Sequence, residues 1–392
     1  MPFGRESLHE WPLDPAVTYL NHGTVGVTPL RVLEAQRKIR DAAERAPSQV
    51  LLREQSGLEG ARHERPSAVR DAAAVVARFV GAKPDDLVFV DNATTGVNAV
   101  LRSIRFEPGD EVLITDHGYG AVANAARLIA RQAGASVTTV TVPYPEFSPE
   151  ALVDAVASVL SSRTRLAIVD HVTSQSALIL PVAAVAALCR SRGVRVLVDG
   201  AHAPGVLPLD IPSLGVDFYS ANLHKWACVP RSCGFLWASE AAQVDLHPAV
   251  ISWGLDKGFA AEFDWVGTRD FSPWLAAPAG IALLQARGID AVWSYNHGLA
   301  WRGASLLADA WETKIPASES QIGFMATVPA PPSFGGEATS ATRLRDALLF
   351  DHGIEVQVHA GYGRVWVRIS AQVYNDLDEV RRLAEAVLLL SR

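Results

Sequence analysis

Between Asp85 and Trp237 short apolar, β-rich runs alternate with longer helical stretches, and this rhythm leaves few folds open to the chain. Leu87–Val90, Glu111–Thr115, Val137–Val142, Leu166–Asp170 and Val194–Val198 are predicted as strands. Thr95–Arg105, Ala121–Gln132, Pro149–Ser161 and Val182–Arg192 have the period and length of helices. Strands joined through helices need right-handed crossovers, which give a mostly parallel sheet covered on both faces. Cys233–Trp237 is expected as an antiparallel edge strand. From about Trp293 the pattern changes to a long helix, a strand at Phe324–Val328, a helix at Ala341–Phe350, a strand pair and a closing helix. The expected organisation is an N-terminal segment (1–30), a large domain (31–285) and a smaller α+β domain (286–392).

Ligands of such sheets gather at the carboxyl ends of the strands, and the unusual polar residues fall there. Asp199 closes the run Val196-Leu-Val198, and Lys225 follows the next strand in Ser220-Ala-Asn-Leu-His-Lys-Trp226. An acid at a buried strand end followed by a lysine is how one chain can hold pyridoxal 5'-phosphate. The lysine bonds the cofactor's aldehyde, and the acid keeps the pyridine nitrogen protonated. Taken singly, Asp199 reads equally as a turn cap and Lys225 as a surface lysine. Their order and spacing join them into one site.

Asn92-Ala-Thr-Thr95 leads from a strand into a helix, so the hydroxyls of Thr94 and Thr95 and the free N–H groups make a phosphate cup or an ordinary N-cap. Tyr119, in the next such turn, is placed to stack on the pyridine face or simply to pack. Arg368 interrupts the apolar run Val365-Trp-Val-Arg-Ile-Ser370. It suits a carboxylate clamp, or, by strand alternation, an outward-facing position.

The net charge of −7 argues against a nucleic-acid partner. Three cysteines (Cys189, Cys228, Cys233) form neither a disulfide framework nor zinc-ligand spacing, so no metal site is expected. The first ten residues lack the apolar core of a signal peptide, and Leu166–Cys189 is too interrupted for a membrane span. A cytoplasmic enzyme is the expectation.

The chain resembles fold-type I pyridoxal-phosphate enzymes of the class V aminotransferase superfamily, within it the isopenicillin N epimerase-like group. The resemblance runs from Tyr19-Leu-Asn-His-Gly-Thr-Val-Gly26 to the closing helix. It is carried by Asn92-Ala-Thr-Thr95, His171-Val-Thr-Ser174, Val198-Asp-Gly-Ala-His-Ala-Pro-Gly205, His224-Lys-Trp226, Gly267-Thr-Arg-Asp270 with Pro273-Trp274, and Arg368-Ile-Ser-Ala371. The resemblance implies a mostly parallel seven-stranded sheet and a homodimer. It also implies that Lys225 holds the cofactor, Asp199 meets the ring nitrogen, His202 neighbours the ring hydroxyl and Tyr119 stacks. Thr94, Thr95, Asn222 and His224 fall at phosphate-ligand positions, and Ser174 at one near the ring oxygen or substrate. Thr268 would cross to the partner's phosphate, while Asn21, His22 and Arg368 would contact the amino-acid substrate. Cysteine desulfurases of the superfamily use a cysteine before the last strands. None follows Cys233 here, which disfavours persulfide chemistry.

Removal of the α-proton by the freed lysine amine is common to racemisation, transamination and β-elimination. The Gly-Thr-Arg-Asp and Pro-Trp segment favours epimerisation, with Tyr119 or His117 as the second proton carrier. The alternatives are a cysteine desulfhydrase-like C–S lyase and an aminotransferase. Two readings of other classes fare worse. A silent cofactor-binding subunit is disfavoured by intact Lys225, Asp199 and Arg368. A nicotinamide enzyme is disfavoured because Gly118-Tyr-Gly-Ala-Val-Ala123 ends in alanine and follows the wrong strand.

Overall fold

A computed structural model describes residues 2–58 and 67–392. The strands are, in chain order, β1 (Thr18–Tyr19), β2 (Leu87–Val90), β3 (Glu111–Thr115), β4 (Ser136–Val140), β5 (Thr164–Asp170) and β6 (Arg195–Asp199). There follow β7 (Phe218–Asn222), β8 (Gly234–Ala238), β9 (Met325–Pro329), β10 (Ile354–Glu355), β11 (Gln357–Gly361) and β12 (Arg364–Ser370).

Seven strands form the main sheet in the order β2-β8-β7-β6-β5-β3-β4, with β8 alone running against its neighbours. Alternation along each strand feeds two cores. Leu87, Phe89 and Leu113 join the cluster on one face, and Val88, Val90, Val112 and Ile114 join the other. Burial on both faces is why these strands are continuously apolar.

The antiparallel strand near Trp237 is real but is not at the edge. β8 lies between β2 and β7, and each of its five residues is buried. The edge is β2 instead, covered by the Phe259–Asp264 helix, which spares it an open ladder of hydrogen-bonding groups. β4 ends earlier than its apolar pattern suggests. The Val142 amide is taken by the Asp116 carboxylate at 2.9 Å, so the chain leaves the ladder there.

A second sheet, ordered β11-β12-β9, packs with the Ile289–Ala310, Ala338–Phe350 and Leu377–Leu390 helices around its own apolar cluster. The N-terminal segment ties this sheet to the site. β1 pairs with β10, and Asn21 bridges to Ser370, which delivers Asn21 and Thr24 to the end of β12. Gly26 then adopts a left-handed φ of 68° and passes so close to the Lys225 segment that any Cβ would strike the His224 carbonyl.

Candidate active site

The carboxyl ends of β5, β6 and β7 and the turn after β2 converge on a cavity of about 470 Å³, within the range of small-ligand sites. Its wall includes Asn92, Thr94, Thr95, Tyr119, Asp170, Ser174, Asp199, His202, Asn222, His224 and Lys225. Residues scattered over more than a hundred positions are thus brought together because parallel strands present their ends to one side of the sheet.

Of the five lysines, Lys225 alone is buried; Lys38, Lys83, Lys257 and Lys314 are exposed. Burial pulls its proton affinity down to about 7, and the Arg368 charge adds to the effect while Asp199 opposes it. Near neutral pH a large share of Lys225 is therefore free amine, the form that attacks a carbonyl or accepts a proton.

His202 lies against it, Nε2 to Nζ at 3.1 Å, and the Trp226 indole N–H points at His202 Nδ1 at 3.4 Å. An indole nitrogen only donates, so Nδ1 is the acceptor and Nε2 carries the hydrogen. Burial and the Lys225 charge hold this ring well below the usual histidine range, and so neutral. His22 acts on the other side of the same segment. Its Nε2 meets the Lys225 carbonyl at 3.0 Å and its Nδ1 the Tyr374 hydroxyl at 2.9 Å. It is fully buried behind Lys225 and is not part of the cavity wall, so in this structure it pins the lysine's backbone.

Asp199 closes β6, buried, with one oxygen accepting the Ala201 amide at 3.1 Å. Burial raises its proton affinity, offset by Ala201 and Lys225. Such a carboxyl suits a cationic N–H partner.

The helix Ala93–Ser103 begins at the cavity. Asn92 caps it by accepting the Thr95 amide at 2.9 Å, and the Asn222 side-chain oxygen takes the Ala93 amide at 2.8 Å. Asn222 thus braces the helix start, while Thr94 and Thr95 face the cavity with the helix dipole behind them. His224 anchors Nδ1 on the Cys233 carbonyl at 3.1 Å, and burial lowers its proton affinity to about 4. Tyr119 stands half exposed in the cavity wall.

Arg368 is fully buried, not outward-facing, because Asn21, Thr24 and Ser174 cover the face of β12 on which it stands. It reaches the Ser174 carbonyl, Thr24 Oγ1 at 2.8 Å and Asn21 Oδ1 at 3.4 Å. Its Nε is buried without a partner among the described residues. Ser174 and Thr24 line the cavity, so Arg368 stands at its border. Thr268 is exposed and lies outside the cavity wall of its own chain. Its neighbour Arg269 pairs with Asp91 and lies over the Trp274 ring at 4.0 Å, which fastens this loop beside the Asn92 turn.

Thr24, Asn92 and Asp170 line the cavity without having been singled out from sequence. Asn92 could have been read as the cap preceding Thr95. Asp170, ending a strand as Asp199 does, carried the same signal.

The donor set fits pyridoxal 5'-phosphate: a buried lysine for the aldehyde, a buried carboxyl for the ring nitrogen, and a helix start with two hydroxyls for the phosphate. The family model of aminotransferase class-V matches residues 48–383. The chain belongs to the pyridoxal-phosphate-dependent class V aminotransferase family. It is 32% identical over 403 residues to a probable L-cysteine desulfhydrase, chloroplastic, of Arabidopsis thaliana, covering 95% of this chain and 83% of that one. It is 31% identical over 393 residues to an isopenicillin N epimerase of Streptomyces clavuligerus, covering 96% and 95%. In fold it matches a C-DES mutant with glycine covalently linked to its PLP cofactor, with a TM-score of 0.80 at 22% identity over 97% of this chain and 98% of the other. A cysteine desulfurase from Thermococcus onnurineus NA1, in apo form, matches with a TM-score of 0.80 at 21% identity over 100% and 98%. Among the described residues no helix is long and apolar enough to cross a membrane, and no cluster of His, Cys, Asp or Glu could hold a metal ion.

Proposed function

We propose that this protein acts at the α-carbon of an amino acid, with Lys225 as the base that removes the α-proton. The observation that carries this reading is the buried Lys225 amine, with its proton affinity lowered to about 7, set against the neutral His202 ring. Bound in the cavity, pyridoxal phosphate would hold the amino acid covalently and take up the electron pair left by the α-proton. Lys225 and Asp199 would hold the cofactor's reactive ends, Thr94, Thr95 and His224 its phosphate, and Ser174 its ring oxygen. Arg368 would clamp the substrate carboxylate with Asn21 alongside; the unpartnered Arg368 Nε supports this. Neutral His202 presents its Nε2–H to the Lys225 amine at 3.1 Å, while its Nδ1 accepts the Trp226 indole N–H.

The outcome after proton removal has two readings. Epimerisation needs a second proton carrier, and the phenol of Tyr119, which lines the cavity, would serve as one. β-Elimination of a sulfur group needs only Lys225, and His117, the other sequence candidate, is buried on Ser176 outside the cavity wall, which favours this one-base route. The likeness to an epimerase and to desulfhydrases supports both. The reading includes a homodimer, in which exposed Thr268 serves the partner's site.

An amino-acid panel in deuterated water, read by NMR and chiral chromatography, tests this. Deuterium at Cα with inversion marks epimerisation; pyruvate with ammonia and a released thiol marks elimination. Absence of any exchange at Cα across the panel contradicts the proposal.

A further inference from the structure

Asp170 ends β5 as Asp199 ends β6, and the two are register partners on adjoining parallel strands. Register partners project from the same face, so two carboxyls stand side by side at a strand spacing of about 5 Å. Both line the cavity, and their exposures are only 4% and 2%.

Their surroundings differ. Lys225 offsets the charge of Asp199. What faces Asp170 is the Asp199 carboxyl and one donor, the backbone amide of Tyr119. Gly118 lies against it, where a Cβ would stand 3.4 Å from Oδ2. The other titratable groups around the pair are His202 beside Lys225, the Tyr219 phenol near Asp199, and His171, which is bonded to Tyr219. Burial and the Asp199 charge both push the Asp170 carboxyl well above the usual carboxylate range. Two neighbouring carboxyls in a dry pocket relax by keeping a proton between them.

We propose that Asp170 is a positioning residue for the cofactor site: a neutral acid that accepts the Tyr119 amide hydrogen on one oxygen and donates its own proton to the Asp199 carboxylate from the other. It thereby holds two elements at once. Tyr119 precedes the Gly120–Gln132 helix and carries the ring on the cavity wall, and Asp199 keeps its remaining oxygen free for the cofactor nitrogen. The site gains a fixed anion without a second negative charge. The inference rests on the assignment of Asp199 to the ring nitrogen.

A neutral carboxamide reproduces both bonds, accepting through its oxygen and donating through its nitrogen. The test therefore compares Asp170→Asn, Asp170→Ala and Asp199→Asn with the parent enzyme. Each holoenzyme is stripped of cofactor, checked for folding by circular dichroism, and titrated with pyridoxal 5'-phosphate by visible absorbance. Asp170→Asn should bind within about twofold of the parent and Asp170→Ala about tenfold more weakly, the scale of one or two lost hydrogen bonds. Should Asp170→Ala fail to fold, Asp170→Ser replaces it, since a serine hydroxyl cannot span both partners. If Asp170→Asn binds as weakly as Asp170→Ala, a charge is required and the proposal falls. Parent-like binding by Asp170→Ala overturns it as well. An Asp199→Asn enzyme indistinguishable from the parent refutes instead the nitrogen assignment beneath it.

Discussion

His202 donates toward Lys225 through the nitrogen that Trp226 leaves protonated, at 3.1 Å, in a site where burial keeps the ring neutral. Three consecutive facts of local chemistry thus set the state of the lysine: an indole that only donates, an imidazole fixed in one tautomer, and an amine denied solvent. Replacing His202 by Phe removes the N–H and adds apolar bulk. The variant should keep the cofactor but lose about ten- to a hundredfold in turnover, measured as kcat on the substrate that the panel identifies. His202→Asn should recover part of that loss.

The pH dependence of cofactor capture follows from Lys225. Its amine has a proton affinity near 7 where a solvated lysine has 10.5. Below pH 7 the ammonium form blocks attack; above it the amine is free. The rate at which apo-protein captures pyridoxal phosphate should rise up to about pH 7 and then level. A rate still climbing tenfold per unit at pH 9 would mean that Lys225 titrates like a solvated lysine.

The same shift has a sign for stability. Between about 7 and 10.5 the unfolded chain binds a proton at Lys225 that the folded apo-protein does not. Unfolding free energy therefore rises with pH across that window, and the burial cost is fully present below it. Urea unfolding of apo-protein and of Lys225→Met at pH 7 and pH 9 checks this. The parent should gain on the variant at the higher pH.

Much of this site is legible in the sequence, and the parts that are not have physical reasons. Lys225 and Asp199 stand out because a polar residue at the end of an apolar run has few structural uses. The partners of His22, the Tyr374 hydroxyl and the Lys225 carbonyl, are not legible in its motif, because they come from distant parts of the chain. Alternation permits Arg368 to face either way. Only the arrival of Asn21 and Thr24 from the N-terminal segment, and of Ser174 from another loop, makes its face an interior one. β8 is invisible as an interior strand because pairing order depends on contacts distant in sequence, and no local pattern records them.

Arg368→Ala should leave cofactor binding near normal and raise KM for the amino acid by about a hundredfold, as loss of a charge-assisted pair implies. Arg368→Lys should not restore it, because an ammonium cannot reproduce the fork held by Ser174 and Thr24. Steady-state kinetics of both variants decide the point.

Asn92→Ala removes the cap of the Ala93–Ser103 helix. It should cost about 1 kcal/mol of apo-protein stability and also weaken cofactor retention, since the same helix start faces the phosphate. Urea melts and cofactor titration separate the two effects.

Reduction of the holoenzyme with borohydride, followed by peptide mass mapping, tests the central claim most directly. The phosphopyridoxyl mass should fall on Lys225 and leave Lys38, Lys83, Lys257 and Lys314 unmodified. Label on any other lysine, or none on Lys225, would contradict the assignment of this cavity as the cofactor site.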